Sequence, residues 1–475
     1  MIPLFLLLTG PATAVTLTVD QAVGQALDGS HGVAAAQAGV DAAQADARKA
    51  TLALGPALTG AAGYTRLDQV PYVEFDTSAF LGGSTGGDAC ADIDEETLPA
   101  GFTLEMAQGL CELIVGWMTP DLGDAGASRI EMGLQDNYFA KLTLEQVVFA
   151  GGALHRSRLA ARKMVSASEA EVRRARQEVA YSATEAFYSL ALARQGAAVS
   201  QQAVETLDAY VLDLQNLVDV GMASRADLLS TQTRQSQARL DALRAAHGAS
   251  LAETMLRATL GLPPDEPVEL VVGEPTREAL PPRDELVATA LQRRPDLARL
   301  DATIDAMGHY GAAAWSSWLP AVVVQGNLNW KNPNYALEPL WYSSADLTVA
   351  GSWSFWDRGV ALSGAAGTRA QRSQLVEQRS LLADYLAVEI EAALGTYEEA
   401  WAEVEVASLF LSQAEEALRL EQDRFAQGMV HNAELLAAQA AVSGARVSLL
   451  QARTRIPLAR AALDKAVGTD PEVSR

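Results

Sequence analysis

The chain has 475 residues, of which 49% are hydrophobic, 20% are charged and 6% are aromatic. Its formal net charge of -23 argues against a nucleic-acid partner, because phosphate binding relies on Lys and Arg side chains. The histidines are scattered, and there is no HExxH motif, phosphate-binding glycine loop or nucleophile elbow. The sequence therefore argues against an enzyme, and we expect no cofactor.

The first residues are typical of a secretion signal. An apolar run from Ile2 to Leu8 precedes Ala12-Thr13-Ala14, which suits cleavage after Ala14. A misassigned start or an N-terminal strand is the alternative. After this segment no apolar run reaches the roughly 18 residues of a transmembrane helix, so a membrane crossing would have to use strands.

The chain contains an internal duplication. Gly221 to Gly261 matches Gly428 to Gly468 without a gap, and Asp20 to Pro56 matches Asp284 to Pro320 in the same way. A self-match of this length indicates a repeated structural unit. The predicted divisions are a signal peptide over 1–14, a first structural repeat over 15–270 and a second over 271–475.

Alternating segments predict four strands, two in each repeat. Val322 to Trp330 alternates apolar residues with amides, Leu347 to Phe355 and Tyr138 to Glu145 alternate similarly, and Leu58 to Asp68 gives a weaker signal. Tilted strands of about 9 to 11 residues are long enough to cross a bilayer, although a soluble β-sandwich would show the same alternation. Six of the eight tryptophans fall between residues 315 and 356, as at a membrane interface; core packing is the alternative.

Long alanine-rich helices follow the strands. An apolar seam at steps of three and four predicts a helix from about Ala153 to Asp219, and Val360 to Gln427 is its counterpart. Four shorter helices are each about half as long, so two of them stacked end to end would cover one long helix. The seam residues are Val172, Ala175, Val179, Ala183, Ala186, Leu190 and Ala193, and the shorter helices are Asp20–Leu54, Ser224–Leu260, Asp284–Trp318 and Asn432–Val467.

The first repeat carries an insertion between Pro56 and Phe149. It contains Cys90 and Cys111, and two cysteines in an exported chain usually pair, with free thiols as the alternative. No His lies nearby, so we expect no metal site. The acidic cluster lacks EF-hand spacing and is predicted to be a solvated loop. Its members are Asp88, Asp92, Asp94, Glu95 and Glu96.

Together these features resemble the TolC-like outer-membrane factor family. The likeness covers nearly the whole chain: the duplicated plan, the strand entry at Leu54–Leu58, the strand-to-helix turns Phe149–Gly152 and Trp356–Gly359, and the tip turns at Gly221 and Gly428. The implied fold is mainly α, with long helical hairpins forming an α-barrel and four strands per chain joining a shared outer-membrane β-barrel. Open sheet edges are not tolerated in lipid, so four strands must join those of other chains.

The resemblance also implies a function and partners. It implies a homotrimeric exit channel in the cell outer membrane, with its helical part in the periplasm, that serves tripartite efflux or type I secretion. The implied partners are a periplasmic adaptor (membrane fusion) protein, an inner-membrane transporter of the RND, ABC or MFS type, and outer-membrane lipid. The alternative is a soluble periplasmic coiled-coil adaptor or scaffold, which fits the helices but not the alternating strands.

The resemblance places a periplasmic gate at the tip turns. Asp227 and Glu434 occupy its acidic positions and Phe425 an aromatic gate position. Helix capping is the alternative role for the two acids. Val430 stands where a gating Arg can occur, and Ala437 where a second acid can occur, so the gating network of this chain departs from the family pattern.

Overall fold

The computed structural model describes residues 15–75, 90, 93, 103–118, 128–427, 429 and 432–471. The predicted signal segment 1–14 lies outside these residues. The chain forms two compact units. The helical unit comprises Met1–Leu52, Gly151–Leu319 and Ser354–Arg475, and the β unit comprises Ala53–Ala150 and Pro320–Trp353. Each unit therefore draws on both sequence repeats.

The helical unit is built on two helices of 67 residues each. In the first repeat, α4 packs along α1, α2 and α5; in the second, α8 packs along α6, α7 and α9. The predicted columns of one long helix against paired short helices are therefore confirmed. Among the described residues, no helix combines the length and apolarity needed to cross a membrane. The helices are α1 Val19–Gly29, α2 His31–Leu52, α3 Leu104–Met118, α4 Ala153–Asp219, α5 Arg225–Leu260, α6 Arg283–Arg293, α7 Pro295–Ser316, α8 Val360–Ala426 and α9 Asn432–Val467.

The predicted seam of α4 is only partly correct. Ala183 and Leu190 are fully buried, and they share a core cluster with Phe187 on α4 and Leu256 on α5. The other five predicted seam residues are half-buried, because α4 is covered by several helices and its buried surface is wider than one stripe. The small alanine side chains of this core allow close helix packing.

Each column breaks where its short helices meet. Ser30 caps α2 by accepting hydrogen bonds from the backbone amides of Gly32 and Val33, at 3.1 and 3.3 Å. In the second repeat the guanidinium of Arg294 donates to the Ala466 carbonyl at 3.1 Å and pairs with Asp296 and Glu389 at 2.9 Å. This Arg side chain is 11% exposed and connects the junction of α6 and α7 to α8 and α9.

A short parallel pair at the start of the chain is absent from the sequence prediction. β1 (Val15–Leu17) pairs with β6 (Val268–Leu270), and Leu17 and Val268 are buried in the same cluster as Phe187. Three-residue strands carry too little alternation to be recognised from sequence. The pair joins the two ends of the first repeat.

The β unit contains one sheet of four antiparallel strands in the order β2-β5-β7-β8. All four predicted strands form, but the predicted extension to Phe355 is wrong, since β8 ends at Ser352. The register of β5 against β7 shifts between Val147 and Phe149, which marks a bulge. The strands are β2 Ala57–Arg66, β5 Asp136–Ala150, β7 Ala321–Asn332 and β8 Tyr342–Ser352.

One face of this sheet is polar and internally hydrogen-bonded. The Thr143 hydroxyl donates to the Asn327 Oδ1 at 2.9 Å, and the amides of Asn327 and Asn329 donate to the Asp346 carboxylate at 2.7 and 3.0 Å. Phe139 interrupts this face because its ring lies over Gly63, where a Cβ would come within 2.4 Å of the ring.

The opposite face is apolar and exposed. Leu58, Leu144 and Leu347 stand in one cross-strand row, completed by Gly326. All three leucines are exposed, and Leu347 is exposed to 75% of its surface. The two faces predicted from the alternation are therefore confirmed.

The insertion contains more structure than the sequence predicted. β3 (Tyr72–Phe75) pairs with β4 (Ser128–Glu131), and α3 occupies part of the segment between them. Cys90 and Cys111 form a disulfide that joins a turn to α3. The acidic cluster from Asp88 to Glu96 lies outside the described residues.

Candidate functional site

The candidate site lies where the helical hairpins turn. In each repeat the long helix ends and a shorter helix begins within a few residues: α4 ends at Asp219 before α5 begins, and α8 ends at Ala426 before α9 begins. Side chains from all four helices meet there. We call this group the tip site; its members are Tyr210, Asp227, Ser230, Thr231, Phe425 and Asn432.

Asp227 is part of the N-terminal cap of α5. Its backbone amide donates to the hydroxyl oxygen of Ser224 at 3.1 Å, and that hydroxyl donates to the Asp227 carboxylate at 2.6 Å. The carboxylate also lies in the first turn, where the helix dipole favours a negative charge. These contacts are those expected of a helix cap, which was the alternative role for Asp227. Its role in gating stays a prediction.

Asn432 joins the two repeats. Its side chain is buried, with 4% of the residue exposed. The amide nitrogen donates to the Thr231 hydroxyl at 2.9 Å and lies 3.2 Å from the carbonyl oxygen of Asp227 and 3.3 Å from the hydroxyl of Ser230. A buried amide must be hydrogen-bonded to avoid a desolvation cost, and these partners all belong to α5 of the other repeat.

Tyr210 of α4 completes the group. Its hydroxyl donates to the Oδ1 of Asn432 at 2.6 Å, and its ring meets the ring of Phe425 edge-on, with centroids 5.9 Å apart. Burial, followed by the negative charge of Asp227, raises the pKa of Tyr210 to about 12. The hydroxyl therefore remains protonated and able to donate at physiological pH.

This network is not duplicated. At the shift of 207 that relates the repeats, Tyr210 corresponds to Ala417, Thr231 to Ala438, and Asn432 to Arg225. The first repeat supplies the hydroxyls and the second supplies the amide. The sequence signal that could have revealed this site is that Tyr210 and Thr231 each align with an alanine of the other repeat.

The other predicted tip residues have simpler surroundings. Gly221 adopts a φ of 77°, the left-handed conformation that favours glycine at a helix C-terminus, and Met222 donates its amide to the Leu217 carbonyl at 2.8 Å. Glu434 is exposed in the first turn of α9, with no hydrogen bond or ion pair to the part of the chain that the structure describes. Gly428 and Val430 lie outside the described residues.

The tip site joins helices through hydrogen bonds between polar side chains, and we call the hydrogen bonds of Tyr210, Asn432 and Thr231 the lock. Its hydroxyls and amide satisfy one another, leaving no activated nucleophile within it. Over the described ranges, no group of three or more His, Cys, Asp or Glu side chains could hold a metal ion. What the arrangement can do is hold the end of α9 against α4 and α5.

Residues 286–469 match the family model described as outer membrane efflux protein. Comparison with curated protein sequences found no significant match.

Solved structures match over nearly the whole length. The outer membrane channel CmeC of Campylobacter jejuni gives a TM-score of 0.75 at 14% identity, covering 96% of this chain and 87% of that one. The outer membrane protein VceC of Vibrio cholerae gives 0.70 at 18% identity, covering 96% and 97%. The open state of the MtrE outer membrane channel of Neisseria gonorrhoeae gives 0.69 at 15% identity, covering 96% and 91%. At these identities the likeness establishes the fold, and the predicted fold class is confirmed.

Proposed function

The second repeat belongs to the outer membrane efflux protein family over residues 286–469, and on this premise we propose that the chain is an outer-membrane exit channel. It conducts substrates passively from a periplasmic pump to the exterior, as part of a tripartite efflux or type I secretion system. The strands lie in the outer membrane and the helical unit lies in the periplasm. This role requires a periplasmic adaptor protein and an inner-membrane transporter of the RND, ABC or MFS type.

The observation that carries the proposal is the contrast between the two faces of the four-stranded sheet. The row containing Leu347 exposes its leucines, whereas the row containing Asn327 is tied together by hydrogen bonds. A sheet with one exposed apolar face and one polar face suits lipid on one side and water on the other. A soluble adaptor would have to cover the leucines with another layer.

The sheet edges favour assembly from several chains. β2 pairs only with β5, and β8 only with β7, within the described residues. The outer edges of β2 and β8 therefore present backbone groups that need partners in lipid. Joining β8 of one subunit to β2 of the next would satisfy both edges, and we propose that three subunits do so as a homotrimer.

The helices also present apolar surface for neighbouring subunits. Positions spaced at helical intervals form an exposed stripe on α5 and a longer one on α8. Apolar stripes of this kind on a soluble unit mark protein contacts. The α5 stripe is Leu229, Leu240, Leu243, Leu251 and Met255, and the α8 stripe is Leu381, Tyr385, Val388, Val406, Leu409, Phe410 and Leu420.

The tip site is proposed as the regulated entrance of this channel. Asp227 and Glu434 provide negative charge at the start of α5 and α9, and Phe425 packs on Tyr210. Opening the entrance would require the hairpin ends to separate. The contacts of Asn432 would then have to break or move with them.

The experiment is purification of the full chain with and without detergent. A channel should remain in the membrane fraction until detergent is added, sediment as a trimer and conduct ions in planar lipid bilayers. An adaptor should be extracted by buffer alone and give no conductance. A monomer that stays dissolved without detergent would contradict the proposal.

A further inference from the structure

A groove of about 800 Å³ in the helical unit carries a charge opposite to that of the protein. It lies between α4, α7 and α8, and Asp305 is the one acidic residue that lines it. The chain as a whole has a net charge of -23. The basic residues that line the groove are Arg156, Lys163, His309, Arg369 and Arg372.

Most of the positive charge in this groove is uncompensated. The Lys163 Nζ pairs with Asp305 at 2.8 Å. Across the described part of the chain, Arg156, Arg369 and Arg372 form no ion pair, and all three are exposed. The sequence around them reinforces the charge, because 153–168 of α4 and 360–376 of α8 contain no Asp or Glu.

One of these arginines lies next to α7. A Cβ placed on Gly308 of α7 would lie 3.6 Å from the Nε of Arg372, an ordinary van der Waals distance, so the Arg372 side chain runs close to the α7 backbone. One turn along, a Cβ on Gly311 would lie 3.6 Å from the Thr368 Cβ. The groove is therefore formed by packed helices and not by a loose surface loop.

The lining also includes apolar residues, which bears on the ligand. Trp315 lines the groove and is 45% exposed, and Met307, Ala312 and Ala365 line it as well. A ligand that suits both the basic and the apolar residues carries an anionic group next to hydrocarbon. Inorganic phosphate would use only the arginines.

The position of the groove along the chain agrees with a lipid ligand. α4 begins three residues after β5 ends, and Trp315 lies six residues before β7 begins. If the strands lie in the membrane, these helical turns are the first to leave it. The argument at this point rests on the proposed function.

We propose that this basic groove binds the phosphate group of an anionic phospholipid. Guanidinium groups form bidentate hydrogen bonds with phosphate oxygens, and clusters of Lys and Arg next to a membrane attract anionic headgroups. Trp315 packs along the glycerol and upper acyl region, as tryptophan does at membrane interfaces. The bound lipid fastens the helical unit to the inner surface of the outer membrane.

The test compares two triple variants of the full chain by native mass spectrometry. The groove variant combines Arg156→Gln, Arg369→Gln and Arg372→Gln. The matched control combines Arg173→Gln, Arg234→Gln and Arg453→Gln, which removes the same charge from exposed helical arginines without an ion pair in the described residues. The probes are phosphatidylglycerol, phosphatidylcholine and inorganic phosphate.

We expect the wild type and the control to retain phosphatidylglycerol over phosphatidylcholine, and the groove variant to bind it about tenfold more weakly or worse. Asp305→Asn should strengthen retention, because it removes the acid and frees Lys163. Equal retention by the groove variant, or an equal loss in the control, would overturn the site. Binding of inorganic phosphate as tight as that of phosphatidylglycerol would overturn the lipid assignment.

The same samples separate this proposal from the proposed channel. The trimer mass and the bilayer conductance are measured alongside lipid retention. A groove variant that remains a conducting trimer but keeps its lipid contradicts only the groove. A wild-type chain that is monomeric and does not conduct contradicts the channel.

Discussion

The hydroxyl of Tyr210 donates a 2.6 Å hydrogen bond to the side-chain carbonyl of Asn432, across 222 residues of sequence and between the two repeats. The side-chain amide of Asn432 in turn donates a hydrogen bond to the Thr231 hydroxyl. The duplication gives both repeats the same helices, but this contact makes their ends different. In a ring of subunits such a lock would occur once per chain, on one side of each hairpin.

The contribution of the lock should depend on pH. The pKa of Tyr210 is raised to about 12, so its neutral form is favoured by folding. The resulting stability is fully present below the ordinary tyrosine pKa near 10 and is lost as the pH rises towards about 12. Tyr210→Phe, which removes the hydroxyl but keeps the ring, should cost about 1 kcal/mol below pH 10.

The measurement for Tyr210 is the melting temperature of both proteins across this pH range. The difference between wild type and Tyr210→Phe should shrink between pH 10 and 12. A difference that stays constant through that interval would show that the hydroxyl does not titrate as the structure indicates.

The gate prediction concerns the two acidic residues at the tip turns. Asp227→Ala combined with Glu434→Ala should raise single-channel conductance because it loosens the entrance. It should also lower cation selectivity, because negative charge at an entrance concentrates cations. Ser224→Ala is the control: it removes the cap of α5, worth about 1 kcal/mol, and leaves both carboxylates in place. If Ser224→Ala changes conductance as much as the double variant, the two acids are capping residues.

The apolar face of the sheet can be tested at adjacent positions. Leu347→Arg should destabilise the membrane-inserted protein by about 2–4 kcal/mol if the side chain faces lipid near the bilayer centre. Thr348→Arg places the same charge on the opposite face and should be tolerated. Heat-modifiability of the trimer on gels reports the difference. Equal sensitivity at both positions would indicate a buried sheet.

Substitutions at two glycines can distinguish the stability cost of backbone strain from that of a steric conflict. Gly468 and Gly359 both have a φ of 82°, but a Cβ on Gly468 would come within 3.0 Å of the Arg294 backbone nitrogen, whereas nothing lies within 4 Å at Gly359. Gly359→Ala should cost about 1–2 kcal/mol from the left-handed conformation alone. Gly468→Ala should cost about 1–3 kcal/mol more through overpacking. Thermal unfolding measures both; similar values would mean that Arg294 moves aside freely.

Asp357 and its counterpart Ala150 show what an alignment of the two repeats can and cannot reveal. Asp357 caps α8 through its carboxylate, which accepts from the amides of Gly359 and Ala361, both at 2.8 Å. These backbone hydrogen bonds lower the pKa of Asp357. The corresponding residue before α4 is Ala150, which cannot accept such bonds. The sequence exposes this difference between repeats, and the structure supplies its physical meaning.

The sequence by itself determined the repeated plan, the lengths of the long helices and the two faces of each strand. These properties follow from periods of 3.6 and 2 residues, which are local and are written into neighbouring positions. It also predicted a turn at Gly221, because glycine commonly ends a helix in the left-handed conformation, and Gly221 has a φ of 77°.

Only the tertiary structure decided which side chains meet. The partners of Asn432, the approach of Gly468 to Arg294, the pairing of β1 with β6 and the basic groove all join segments far apart in sequence. No local pattern encodes such contacts, because they depend on how segments that are distant in sequence pack against one another. The physical reason is that periodicity fixes the face of a helix that is buried, whereas the partner is fixed by packing.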